Sequence, residues 1–158
     1  MKKVLLALLA TGLLAGGAFA QAPQKRVALS LSAALLFDSE ESGGAQWGMD
    51  FRAGFRLGRR LQLSPEIMYA GFAGHSFLFP GVMLNYMGRE IFAGAGLVFP
   101  LQVSGYGGSE SSVAAKFVLG YAKGPIILTG FFMGSITTDE YTSLFEHNRI
   151  GLTAGFRF

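Results

Sequence analysis

From Trp47 to Leu57 every second residue is apolar, and the residues between are Gly48, Asp50, Arg52, Gly54 and Arg56. A repeat of two is the side-chain period of a β-strand, so this segment predicts a strand with one greasy and one charged face. In a soluble domain the greasy face (Trp47, Met49, Phe51, Ala53, Phe55, Leu57) turns toward a core. The rest of the chain argues for the inverse, with grease facing lipid and charge facing the axis of a small closed barrel. Phe51 and Phe55 at the centre of the molecule, with Arg52 in bulk water, would exclude that reading.

The same period, read together with turn chemistry, gives eight strands: residues 26–37, 47–57, 61–72, 77–86, 91–103, 112–121, 126–136 and 148–158. Each is ten to thirteen residues long. That is longer than the usual strand of a globular protein, about 5–6 residues, and long enough for the roughly 9–11 tilted residues that cross a bilayer. The expected fold is therefore all-β: an eight-stranded antiparallel up-and-down transmembrane β-barrel. Connections alternate between tight (58–60, 87–90, 122–125) and mostly longer (38–46, 73–76, 104–111, 137–147), as in outer-membrane barrels. The tight turns carry Arg59, Arg60, Arg89 and Lys123 against Glu90. The longer loops carry Asp38, Glu40, Glu41, Glu110, Asp139, Glu140 and Glu146, with no Lys or Arg. Acidic loops of this kind suit divalent cations that bridge to lipopolysaccharide phosphates.

Residues 1–20 read as a cleaved secretory signal. Lys2 and Lys3 form the basic start, residues 4–14 the apolar stretch, and Ala18-Phe19-Ala20 the small-x-small cleavage site. Residues 21–158 then form one barrel domain. Without Lys2 and Lys3 the basic and acidic residues come close to balance, which gives no sign of nucleic-acid binding. The chain has no Cys, so backbone pairing or a core has to hold the exported domain together. No stretch of 18 apolar residues follows the signal, so no helix is expected to span a membrane.

The inward faces read Ala28, Ser30, Ser32, Ala34; Asp50, Arg52, Arg56; Gln62, Ser64, Glu66; Gly94, Gly96, Gln102; Ser112, Ala114, Lys116, Gly120; and Arg149, Gly151, Thr153, Gly155, Arg157. The fourth and seventh strands show no clear parity. Pro65, Pro80 and Pro100 fall within strand patterns, where proline removes a ladder donor, so bulges or breaks are expected there. Inward charges need partners, because an unpaired buried charge is very costly. A three-residue turn at 58–60 sets Arg52 opposite Glu66 on the same face. The expected polar network of the lumen is Asp50, Arg52, Arg56, Glu66, Lys116, Arg149 and Arg157. An eight-stranded barrel is only wide enough for side chains, so these groups are expected to plug it. Interfacial aromatics are expected at Trp47 and Tyr69 on the long-loop side, and at Tyr86, Tyr121, Phe156 and Phe158 on the short-turn side.

With these patterns in place, the chain resembles the small eight-stranded outer-membrane barrels of the OmpA/OmpX type. The most specific element is the end, Gly151-Leu152-Thr153-Ala154-Gly155-Phe156-Arg157-Phe158, whose Phe156 and Phe158 match the C-terminal signal of barrel-assembly substrates. The resemblance implies integral placement in a bacterial outer membrane, with both termini periplasmic and the longer loops extracellular. It implies outer-membrane lipid and lipopolysaccharide as surroundings, the barrel-assembly machinery during biogenesis, and a possible protein partner in an outer-membrane complex. The family includes structural barrels, adhesion and host-interaction proteins, and a few lipid A-modifying enzymes.

Catalytic candidates are sparse. His75 beside Ser76, and His147 after Glu146, lie at loop ends, and His75, Ser76 and Glu146 meet only if two loops fold together. Lipid A deacylases keep His and Ser two apart on one strand face, whereas here they are adjacent. His75, His147, Asp139 and Glu146 lack metal-ligand spacing. Gly105-Tyr106-Gly107-Gly108 has no helix start to hold a phosphate. The expectation is a non-catalytic barrel without cofactor or metal, either structural, surface-interacting or a subunit of a larger assembly. A lipid A-modifying enzyme, a small-solute channel and a soluble lipocalin-like binder are the competing readings.

Overall fold

The computed structural model describes residues 27–38, 45–72, 75–104, 113–136 and 148–158. The strands are β1 (Val27–Asp38), β2 (Ala45–Arg56), β3 (Leu61–Phe72), β4 (His75–Met87), β5 (Ile91–Val98), β6 (Leu101–Ser104), β7 (Val113–Lys123), β8 (Ile126–Ile136) and β9 (Asn148–Arg157). β5 and β6 are two pieces of one stave, so the wall has eight staves. Each stave pairs antiparallel with its neighbour in sequence, and β1 pairs with β9 from Ser30↔Arg157 to Asp38↔Arg149. That last pairing closes the ring, so among the described residues no stave is left as an edge strand.

The greasy face points outward. Phe51 is 46% exposed and Trp47 64%, whereas Arg52 between them is 6% exposed. Leu29 and Leu31, Leu97, Phe117 and Leu119, Ile126 and Leu128, and Ile150 and Leu152 are also exposed, so the outward apolar face continues around the ring. No described helix is long and apolar enough to cross a membrane.

The three prolines behave differently from one another. β3 runs through Pro65 and keeps its register with β4 there (Pro65↔Val82), but its ladder with β2 skips Ala53 and Gly54. A proline thus costs one side of the ladder and leaves the strand intact. β4 likewise continues through Pro80. Only around Pro100 does a strand stop. Register with β4 is the same on both sides of that gap (Gly81↔Val98 and Leu78↔Leu101), so the interruption inserts no residue. The Phe99 amide still donates to the Pro80 carbonyl at 2.9 Å.

The turn between β7 and β8 is two residues, Gly124-Pro125. Gly124 has φ 57°. Proline at the second position excludes a turn with positive φ at both sites, which leaves the II′ type that needs glycine first.

Candidate functional site

The barrel interior is where the buried charged side chains converge among the described residues. Asp50 and Arg52 lie on the inner face of β2 and Glu66 on that of β3, with Arg52 and Glu66 directly opposed in the ladder as expected. Arg52 Nη2 lies 2.5 Å from Asp50 Oδ2, and Arg52 Nε 3.1 Å from Glu66 Oε2. Both are ion pairs by distance but lack hydrogen-bond alignment. Lys116 comes from the far side of the lumen on β7. Its Nζ donates to Glu66 Oε1 at 2.6 Å, and its side chain is fully buried. The result is a chain of two acids and two bases, Asp50–Arg52–Glu66–Lys116, neutral overall. Lys116 Nζ also sits 4.8 Å from the centre of the Phe131 ring, a second favourable contact for a desolvated ammonium.

The remaining predicted charges lie elsewhere. Arg149, near the long-loop end, is placed over the rings of Phe77 and Phe79, at 5.2 and 5.3 Å from the ring centroids. β9 carries Arg149 and β4 carries the two rings, on opposite walls. At the short-turn end, Arg157 Nη2 donates to the Gly124 carbonyl at 3.3 Å. Arg56 does not join the network: it is exposed in the last position of β2. It shares the parity of Arg52 but lies past the enclosed length, where water reaches it.

Below the ion pairs, Gln62 Nε2 and Asn85 Nδ2 both donate to Ser64 Oγ at 2.9 Å. A cavity of about 30 Å³ lies here, lined by Ser30, Arg52, Ser64, Asn85, Phe92 and Arg157 among others. That volume is close to one water's share of the liquid.

The lumen is not uniformly polar. Leu36, Met68, Phe79, Met83, Phe92, Val98, Val118, Phe131 and Met133 are buried in it. Glycines on the inner face make room for the larger rings: a Cβ on Gly120 would run into Phe92, and one on Gly151 into Phe131. This alternation of small and large fills a narrow barrel. Sequence reading missed Phe79, Asn85 and Phe131, all on the two staves without clear parity. On β4 the inward residues Phe77, Phe79 and Met83 and the outward residues Leu78, Val82 and Leu84 are all apolar, so hydropathy does not separate the faces. On β8 both faces of Ile127–Met133 are largely apolar. Asn85 on β4, and Thr129 and Ser135 on β8, were weak cues to the inward parity.

The predicted aromatics line the outer surface. Trp47, Tyr69, Tyr86, Phe156 and Phe158 are exposed, and Tyr121 is half-buried. Tyr86 accepts a hydrogen bond from Arg60 Nη1 at 2.6 Å at the short-turn rim. The Phe158 amide donates to the Leu29 carbonyl. The backbone of His75 opens β4, paired with Phe72. The signal at 1–20, His147, and the loop acids Glu40, Glu41, Glu110, Asp139, Glu140 and Glu146 lie outside the described residues. Among the described residues no group of three His, Cys, Asp or Glu is placed to hold a metal.

Solved structures share this architecture. Neisserial surface protein A superposes with a TM-score of 0.61 at 17% identity, covering 83% of this chain and 95% of that one. The Yersinia pestis outer membrane protein Ail, in a phospholipid bilayer nanodisc, gives 0.57 at 11% identity, covering 84% and 99%. The N-terminal β-barrel domain of Pseudomonas aeruginosa OprF gives 0.55 at 13%, covering 83% and 97%. The fold is that of the small outer-membrane barrels. No protein-family model matches the chain, and no curated protein matches it in sequence.

Proposed function

We propose that this chain is an integral outer-membrane barrel with a sealed lumen and no catalytic role, acting as a structural element, a surface-interaction protein or a subunit of an outer-membrane assembly. One observation carries the reading: an outward apolar wall around a fully buried, charge-neutral ion-pair chain that crosses the lumen from β2 to β7. A soluble domain gains nothing from exposing Phe51, Leu97, Phe117 and Ile150 together, whereas a bilayer accepts them at no cost. The small-barrel neighbours support the same placement.

In this reading residues 1–20 direct export and are removed, and residues 21–158 form the barrel. The short-turn end and both termini are periplasmic, and the longer, acidic loops face outward, near lipopolysaccharide. Phe156 and Phe158 serve recognition by the barrel-assembly machinery, and Trp47, Tyr69, Tyr86 and Tyr121 hold the barrel at the two interfaces.

Three measurements test it. The protein is expected to fractionate with outer membranes and to migrate faster unheated than boiled on detergent gels. It is also expected to give no conductance steps in planar bilayers. Recovery as a detergent-free monomer in the periplasm overturns the membrane placement. Discrete conductance steps overturn the sealed lumen.

A further inference from the structure

We infer that the outer wall over β7, β8 and β9 holds one phospholipid whose headgroup carries a primary ammonium beside its phosphate. A groove of about 800 Å³ lies there, within the roughly 300–1,000 Å³ range of small-molecule sites. It exists because Gly130 leaves a gap in the outward row Leu152–Gly130–Leu119, set by the ladders of β8 with both neighbours. A Cβ at Gly130 would meet nothing nearer than 3.7 Å, so the gap admits atoms in ordinary van der Waals contact. Ala154 and Ala33 extend the low ground sideways. The flanking leucines stand on strands two spacings apart, about 10 Å. A single hydrocarbon chain lies between such ridges, whereas the broad Leu- and Phe-lined wall of a second barrel rides on top of them.

The short-turn end of the groove supplies the headgroup chemistry. Ile91 and Tyr121 line the groove there. Adjoining them are Glu90, next to Ile91, and Lys123, two residues along the same face of β7 as Tyr121. Lys123 Nζ lies 3.5 Å from Glu90 Oε1, with both side chains largely open to solvent. The Tyr121 side chain stands beside the Glu90 carboxylate. An exposed pair this long adds little on its own, so it opens easily to outside charges. A phosphate suits Lys123, and an ammonium beside it suits Glu90. A quaternary ammonium has no N–H to donate to Glu90, and a glycerol headgroup has no positive charge. The groove thus selects by headgroup at one end and by shape along its length.

This inference rests on the bilayer placement proposed above. Heat-dependent gel migration tests that placement separately, so the two failures are distinguishable. The test is native mass spectrometry of the folded barrel released from micelles containing equal amounts of phosphatidylethanolamine, phosphatidylcholine and phosphatidylglycerol. The wild type is expected to retain one phosphatidylethanolamine in preference to the others by about three- to tenfold, the worth of one net hydrogen bond. Glu90→Gln is expected to erase that preference. Gly130→Leu is expected to lower retention of all three lipids, and Ala154→Leu does the same if Gly130→Leu fails to fold. Equal retention of the three headgroups, no retained lipid, or undiminished retention in a folded groove-filling variant overturns the proposal. So does efficient cross-linking between Leu128→Cys barrels, because a second copy then occupies the groove. The chain has no other cysteine to confuse that result.

Discussion

Through the middle of the lumen, β1, β2 and β3 present Ser30, Ser32, Asp50, Arg52, Ser64 and Glu66 to the axis, whereas β4, β5, β7 and β8 present mainly Met83, Val98, Val118, Phe131 and Met133. Among the described residues, Lys116 is the one buried charge on the greasy side. It leaves a wall of Val118, Phe131 and Met133 and reaches across to Glu66. A desolvated ammonium is stable there only because the opposite wall supplies a carboxylate at 2.6 Å. The polar side is held together by charge, the greasy side by packing, and one lysine couples the two.

That contrast breaks most sharply at the coupling residue. Lys116→Met leaves the buried acids in excess and is expected to destabilise the barrel by about 3–5 kcal/mol, the cost of stranding a buried partner. The readout is the urea midpoint of the heat-modifiable gel band. Adding Glu66→Gln to the same chain is expected to restore most of the loss, because the remaining Asp50–Arg52 pair is again neutral. A double variant no better than the single one would mean that the Lys116–Glu66 contact is not what joins the walls.

The packed side should respond to volume rather than charge. Met83→Ala, at a fully buried position facing the lumen, is expected to cost about 2–5 kcal/mol in the same assay. Ile127→Val removes a single methylene group and is expected to cost about 0.5–1.5 kcal/mol. Neither effect should change with salt. The smallest effect belongs to the exposed rim: Lys123→Gln should shift the midpoint by no more than the few tenths of a kcal/mol typical of surface pairs, and less still at high salt.

The two walls also differ in how far they can be read from sequence. On β1, β2, β3 and β9 the inner residues, apart from Leu36 and Met68, are polar or small and the outer ones mostly apolar, so a period of two shows both faces. The Arg52–Glu66 opposition follows from the length of the 58–60 turn, because register propagates from a tight hairpin. On β4 and β8 the inner residues are themselves apolar, and periodicity in hydropathy vanishes where both faces are greasy. Parity also gives a face without a depth, which is why Arg56 reads as internal although it lies at the open end. Nor does parity show who meets whom across the lumen. Lys116 and Glu66 sit three staves apart, and Arg149 and the Phe77–Phe79 pair lie on opposite walls; only the closed curvature of the sheet brings them together.

The prolines bear on how such a ring comes apart. A cylinder with every neighbour stitched has no end from which to peel, so parting must start between two staves where the stitches are fewest. Pro80 and Pro100 have no N–H to give, and around them the wall relies on the Phe99 amide reaching the Pro80 carbonyl. A second thin place lies beside Pro65, where β2 and β3 skip two rungs. These interruptions flank the paired staves β3 and β4, whose own ladder runs unbroken from Leu61↔Tyr86 to Phe72↔His75, so that hairpin holds together as one panel.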